Sequence, residues 1–215
     1  KLGEAQLIGR TTAQARFGQQ RGKLRHQRFG HNDVANPQGR EHGFAESNGY
    51  IAIEAEHYTN LINKGEAGWQ KVPGLGRTLS AMMPVPVNSL SIALDQNSPR
   101  MEYYVLFDTS GEVTVSTLLS PTLNIYNNMG LCFAVSLDDE QPQIVNIHKG
   151  KTNQDWQESV RCNIVELKTK HTIGKAGKHI LKLWMIDPGI VLQRILIDCG
   201  GLKPSYLGPL ESKKN

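Results

Sequence analysis

The sequence predicts an all-β fold: a two-sheet antiparallel β-sandwich, jelly-roll-like, preceded by a poorly structured N-terminal arm. Three observations carry that expectation. From Tyr50 onward apolar residues recur at every second position in short runs, turn residues punctuate those runs, and the first forty residues show neither a helical nor a strand period.

Taken in order, Tyr50 to Glu56, Trp69 to Val72 and Thr78 to Met83 read as strands, with a turn of helix over Tyr58 to Asn63. Met101, Tyr103, Val105 and Phe107 share one side of the next run. After the turn Asp108-Thr-Ser-Gly111, residues Val113, Val115, Thr117 and Leu119 repeat the pattern, which reads as a hairpin. Leu131, Phe133, Val135 and Leu137 alternate again, Asp138 to Pro142 turns the chain, and Ile144 to Ile147 returns it as a second hairpin. Arg161 to Thr169 reads as a strand. Lys178 to Ile186 and Ile190 to Asp198, separated by the turn signal Asp187-Pro188-Gly189, make a third hairpin. The spacing of these runs is that of a sandwich, and no long amphipathic helix is expected after residue 50.

With 215 residues, of which 39% are hydrophobic and 20% charged, the chain is long enough to bury a core without disulfide or metal support. No apolar run reaches the ~18 residues of a membrane-spanning helix, so a membrane is not among the expected partners. The formal net charge of +4 invites nucleic acid, but it is unevenly placed. Residues 1–40 hold eight basic groups against Glu4 and Asp33, a net +6, which leaves −2 for the rest. The basic run Arg21 to Arg28 has no interleaved aromatics and no reading motif for nucleic acid. Residues 1–42 are therefore expected to be a solvated, flexible arm or linker, and residues 43–215 the sandwich. Cys132, Cys162 and Cys199 are widely spaced and form no C-x-x-C pair, which points to free thiols rather than a disulfide framework or a zinc site.

None of the nucleophile-elbow, P-loop, H-E-x-x-H or dinucleotide glycine motifs occurs, and no catalytic residue is assigned. Asp138, Asp139 and Glu140 fall at a hairpin tip, where solvated carboxylates lack the burial that separates an acid from a base. His57, His148, His171 and His179 show no carboxylate or thiol partner in the sequence pattern and are expected to be packing or surface residues. Glu54 and Glu56 are sharper. Two residues apart on a strand, they project to one face and repel unless a cation lies between them. Asp198 closes the last strand, and with backbone carbonyls near Arg77 or Thr78 the three carboxylates would form an oxygen shell suited to a structural Ca2+. The alternative is that both glutamates pair with Arg77 or Arg100 on a solvated face.

The strand with Glu54-x-Glu56 followed by an aromatic, and the Ile-Asp198 close, resemble the structural calcium site of carbohydrate-binding modules of families 6 and 35. Several longer stretches are more specific. Gly49-Tyr-Ile-Ala-Ile-Glu-Ala-Glu-His-Tyr-Thr59, Trp69-Gln-Lys-Val-Pro-Gly-Leu-Gly-Arg-Thr78, Lys182-Leu-Trp-Met-Ile-Asp-Pro-Gly189 and Ile197-Asp-Cys-Gly-Gly-Leu-Lys-Pro-Ser-Tyr-Leu-Gly-Pro209 occur in this order. Together they resemble the C-terminal domain of glycoside hydrolase family 115, the xylan α-1,2-glucuronidases, over residues 43 to 212. Residues 1–42 fall outside the resemblance, and Cys199 stands where the family pattern suggests Thr.

The resemblance implies a non-catalytic accessory or carbohydrate-binding sandwich, secreted or periplasmic in a bacterium. Its implied partners are xylan or glucuronoxylan and the catalytic domain of the parent enzyme, whose barrel is not in these 215 residues. A structural docking or dimerisation domain without sugar binding is the alternative. For a sugar site, aromatic faces stack on C–H faces and amides bond hydroxyls. Trp156, in the polar stretch Lys151 to Gln157, is the first candidate, and Tyr126 with Asn124, Asn127 and Asn128 forms a second polar and aromatic loop. Trp69 and Trp184 fall on strands and are expected in the core, and Pro73-Gly-Leu-Gly76 is expected to be a bend.

Overall fold

The structure, a computed structural model, describes residues 42–124 and 129–215. In chain order its elements are β1 (Phe44–Ala45), β2 (Tyr50–Glu54), a 3-10 turn (Ala55–His57), β3 (Asn60–Ile62), β4 (Gly68–Val72), β5 (Ala81–Val85), β6 (Arg100–Phe107) and β7 (Gly111–Leu119). They continue as β8 (Cys132–Leu137), β9 (Gln143–Asn146), α1 (Asn153–Cys162), β10 (Val165–Ile173), β11 (Gly177–Met185) and β12 (Leu192–Asp198).

Two sheets form, as the alternation requires. The first has the order β1-β6-β11-β8-β9, with β3 also on β6; the second has the order β10-β7-β12-β5-β4, with β2 also on β12. Pairing is antiparallel except between β1 and β6. Tyr103, Val105, Phe133, Val135, Leu181 and Leu183 of the first sheet meet Ile51, Ile53, Val115, Leu192, Ile195 and Ile197 of the second in one apolar layer. Each such side chain contributes roughly 1.5–3 kcal/mol on full burial. The Tyr103 phenol, inside this layer, donates to the Ala55 carbonyl at 2.7 Å, and burial holds it well above the usual tyrosine range.

Only one of the three expected hairpins exists. β8 and β9 pair across the turn at residues 138–142. The turns at Asp108–Gly111 and Asp187–Gly189 instead carry the chain from one sheet to the other, because β6 and β11 pair in the first sheet while β7 and β12 pair in the second. Both partners of a hairpin and both strands of such an arch bury one face, so their alternation is identical. The expected strand over Arg161 to Thr169 is displaced to Val165–Ile173, and a helix precedes it. The turn of helix expected over Tyr58 to Asn63 is instead the short strand β3, with a 3-10 turn before it. Trp69 and Trp184 are both buried, as expected; Trp69 packs into the central layer, whereas Trp184 lies on the outer face of the first sheet beneath the Arg100 guanidinium.

Residues 201–215 form an extended strap along β1 and β2. Gly43 and Asn215 exchange backbone hydrogen bonds at 3.0 Å, Ala45 donates to Lys213, and Ser212 donates to Ala52. The strap reaches that path by squeezing past the turn before β2. Gly49 adopts φ +74, and a Cβ on Gly201 would stand 1.9 Å from the Asn48 carbonyl oxygen, so only glycine fits there. Gly201→Ala is expected to cost about 3 kcal/mol, at the upper end of overpacking penalties, seen as a lowered urea midpoint. An unchanged midpoint would contradict this account of the crossing.

Candidate functional site

The three residues expected around calcium do not converge. The strand ends at Glu54, and the 3-10 turn over Ala55–His57 breaks the period of two that would have set Glu56 beside it. Glu54 is buried, its carboxylate 2.9 Å from Arg194 Nε, and Thr78 Oγ1 stands 2.8 and 2.7 Å from its two oxygens. Arg194, 3% exposed, also donates to the Leu207 and Pro209 carbonyls of the strap at 2.5 and 2.7 Å. Glu56 turns the other way, onto the Lys71 ammonium and the Ser80 N–H at 2.9 Å. Burial works to raise its carboxyl, but the bonds from Lys71 and Ser80 outweigh that and hold it below the usual range.

Asp198 pairs with Tyr50, whereas Glu54 pairs with Arg194, at the other end of the same ladder. Four residues at ~3.3 Å each separate them by about 13 Å. Asp198 accepts from Gly200 and Leu202 N–H at 2.8 and 3.1 Å. Among the described residues no group of three or more His, Cys, Asp or Glu is placed to hold a metal. The residues present do not fit a calcium shell, because a guanidinium with directed partners already neutralises the buried carboxylate. Nor do the expected alternatives hold: Arg77 lies over the Tyr206 ring at 4.2 Å and Arg100 pairs with Glu102.

Trp156 sits on α1 rather than in a loop. The missed signal is the capping box: Thr152 Oγ1 accepts from Asp155 N–H at 3.2 Å, while the Asp155 carboxylate accepts from Thr152 N–H at 2.7 Å. Hydrogen bonds from the Thr152 side chain and then its backbone hold the Asp155 carboxyl below the usual range. Asn163, left-handed at φ 54, ends the helix. No residue of α1 is fully buried, so the helix has no apolar stripe to betray it in sequence. Trp156 is half-buried and lines a cavity of about 180 Å³ with Thr122, Ile147, His148, Asp155 and Val165. His148 is fixed in one tautomer, Nδ1 accepting from Leu131 N–H and Nε2–H donating to the Thr122 carbonyl at 2.8 Å. Asn124 is half-buried two residues beyond Thr122, while Tyr126, Asn127 and Asn128 lie outside the described residues.

A second hollow of about 620 Å³ lies on the outer face of the first sheet, between the β8–β9 hairpin and the segment Leu94–Gln96. Trp184 donates its indole N–H to Ser136 Oγ at 2.9 Å, and the Arg100 guanidinium lies 4.7 Å from its ring centroid. Arg100 donates to Glu102 at 2.7 Å and to the Gln96 carbonyl at 3.0 Å, and Lys182 donates to the Asp138 carbonyl at 2.5 Å and to Asp139 at 3.3 Å. The hairpin tip is not simply solvated. Asp138 pairs with His179 at 2.6 Å and accepts from Ile180 N–H at 2.8 Å, and Glu140 pairs with the fully buried side chain of His171. Only Asp139 is fully exposed. The histidines thus have carboxylate partners 41 and 31 residues away, which no local pattern shows.

Arg194→Ala is expected to cost about 3–5 kcal/mol, since it strands a buried carboxylate, and melting curves of the native chain with calcium and with a chelator are expected to superimpose. A calcium-dependent rise in melting temperature would refute this assignment. For Glu56 the folded carboxyl is depressed, so its contribution to stability is present above the ordinary glutamate pKa of about 4.3. It is lost as pH falls through the lower folded value. Glu56→Gln should therefore flatten the acid limb of stability against pH below about pH 4, and an unaltered limb would count against the pairing with Lys71.

Three solved structures are similar to this chain. A family 115 4-O-methyl-α-glucuronidase, BtGH115A, with specificity for decorated arabinogalactans, superposes with a TM-score of 0.53 at 19% identity, covering 68% of this chain and 17% of that one. The C-terminal family 6 carbohydrate-binding module of LamC from Zobellia galactanivorans gives 0.45 at 19% identity, covering 69% and 98%. A family 35 module from Clostridium thermocellum gives 0.45 at 8%, covering 69% and 96%. The chain thus spans about 17% of the length of the first enzyme. No curated protein matches it, and no helix among the described residues is long and apolar enough to cross a membrane. The family model for the glycosyl hydrolase family 115 C-terminal domain matches residues 43–211, which is most of the sandwich described above, and the chain belongs to that family.

Proposed function

We propose that this chain is a non-catalytic accessory domain that binds polysaccharide, glucuronoxylan in particular, for the separate catalytic domain of a family 115 glycoside hydrolase, and that it works outside the cell. The observation that carries the reading is Trp156. A half-buried indole on a mostly exposed helix lines a cavity with a hydroxyl, an imidazole and a carboxylate. That combination supplies a face for sugar C–H groups and partners for hydroxyls. At about 180 Å³ the cavity is smaller than the roughly 300–1,000 Å³ typical of ligand pockets, which suits one ring or a branch rather than a chain.

A second reading, docking onto the catalytic domain, has its own support in the strap. Tyr206, Leu207 and Leu210 are 72%, 51% and 90% exposed and lie close together in sequence. Affinity electrophoresis in glucuronoxylan separates the two. The native chain is expected to be retarded, and Trp156→Ala to weaken retardation by about tenfold or more, equivalent to about 1.4 kcal/mol, with its melting temperature little changed because α1 contributes no buried residue. An unretarded native chain, with and without calcium, would overturn sugar binding and leave docking.

A further inference from the structure

Three exposed elements are tied together at one irregularity of β12. Leu192 and Ile195 both point into the core, which a period of two forbids with two residues between them. The ladder with β7 shifts register between Leu192 and Arg194, so Gln193 is the extra residue of a β-bulge, and Gln193 and Arg194 both bond outside the core. Fully buried Gln193 accepts from Arg77 N–H at 2.9 Å and donates to the Asn163 carbonyl at the end of α1 at 3.1 Å. Arg194 holds the Leu207 and Pro209 carbonyls of the strap. We propose that the loop at Arg77, the last turn of α1 and the strap at Tyr206 form a docking surface for a polypeptide segment that presents a carboxylate between aliphatic side chains. This rests on the docking reading, which it extends from the strap to a named anchor, and is independent of sugar binding.

Arg77 is that anchor. Among the described residues no carboxylate or carbonyl receives its side chain; the guanidinium lies 4.2 Å from the Tyr206 ring centroid, and only the backbone is bonded, to Gln193. Laid against an aromatic ring, a guanidinium keeps its planar fork of donors for a partner carboxylate. Arg161, on the neighbouring turn of helix, is already matched by Glu158 at 2.5 Å, which leaves Arg77 unmatched. The bond to Glu158 and burial raise the Cys162 thiol while the charges of Arg161 and Arg77 work against them, which sets both guanidinium groups beside the end of α1.

The surroundings decide the class of partner. Leu75, Leu79, Val160, Tyr206 and Leu207, carried on the same three elements, are each between 43% and 72% exposed. Apolar side chains left in water at this density mark a surface that another molecule covers. Branched aliphatic groups offer nothing to sugar hydroxyls, and the one aromatic ring among these five side chains already has a guanidinium against it. A polypeptide segment meets both demands, with aliphatic side chains for the leucines and valine and one acidic side chain for Arg77. Because the bulge fixes the backbone of all three elements beforehand, little ordering is required on docking.

The test titrates the full chain, followed by NMR, with a short capped peptide carrying one glutamate between leucines, with the same peptide carrying glutamine there, and with free glucuronic acid. The glutamate peptide should shift the Arg77 Nε–H, the Val160 methyl groups and the Tyr206 ring together. The glutamine peptide should bind about fivefold more weakly, because a carboxylate on the guanidinium fork makes a charge-assisted pair. Arg77→Gln should erase that preference with the melting temperature little changed, since no hydrogen bond ties this side chain to the fold. Equal binding of the two peptides overturns the proposal, as does a surface that responds to neither. Glucuronic acid that reproduces the whole response overturns it too, because the aliphatic flanks would then contribute nothing. A family 115 catalytic domain that binds the native chain and the Arg77→Gln chain equally well removes this anchor and leaves docking. Retardation in glucuronoxylan is read separately, so a silent surface beside intact Trp156-dependent retardation leaves the sugar site untouched.

Discussion

A single buried guanidinium closes the second sheet. Arg194 lies on the outer side of β12, opposite Glu54 of β2, where an isolated charge would be costly. Two of its nitrogens donate to carbonyls of the strap and its Nε lies 2.9 Å from the Glu54 carboxylate as an ion pair, while Thr78 donates to the same carboxylate from the loop after β4. A buried ion pair recovers its desolvation cost only when further hydrogen bonds complete it. Completing this one draws a strand, a loop and the strap onto the same spot. The domain so obtains from a side chain the internal cation that a pair of neighbouring glutamates first suggests a metal should supply.

Sealing that face leaves the hollows of the surface elsewhere. The strap covers the outer surface of β2 and β12, with Ala52, Leu118 and Leu196 forming a small apolar cluster on that side. The outer surface of the first sheet keeps an open hollow beside the β8–β9 hairpin, where the Arg100 guanidinium rather than the strap covers the buried Trp184. The two hollows lie at opposite ends of β9: Ile147 and His148 border the cavity under α1, and Gln141 and Pro142 border the sheet-face cleft. The four residues of β9 span about 13 Å between them at ~3.3 Å per residue.

Alternation along the strands was readable because the period of two is a local property, and Tyr103, Val135 and Ile195 point inward as the pattern requires. Which strands pair is not local. The turns after Phe107 and Met185 carry ordinary turn residues whether the chain folds back on itself or crosses to the opposite sheet. The 3-10 turn at Ala55 is equally silent, and it separates Glu54 from Glu56. α1 escaped notice for a different reason: a helix whose side chains face mostly solvent leaves no apolar period, and only the Thr152–Asp155 capping box marks its start. The polar neighbourhood of Trp156 reads as a loop for the same reason, and the helix beneath it is invisible in that pattern. Trp184 is buried as its strand position suggests, but on the outer side, because a strand tryptophan with apolar neighbours looks the same on either face of a sheet.

The pairing of Gly43 with Asn215 bears on how the two layers are joined. β1 belongs to the first sheet and β2 to the second, and residues 212–215 bond to both, so the strap stitches the layers along one edge from outside the core. That edge opens as one unit: the seam must part before either strand can leave its sheet.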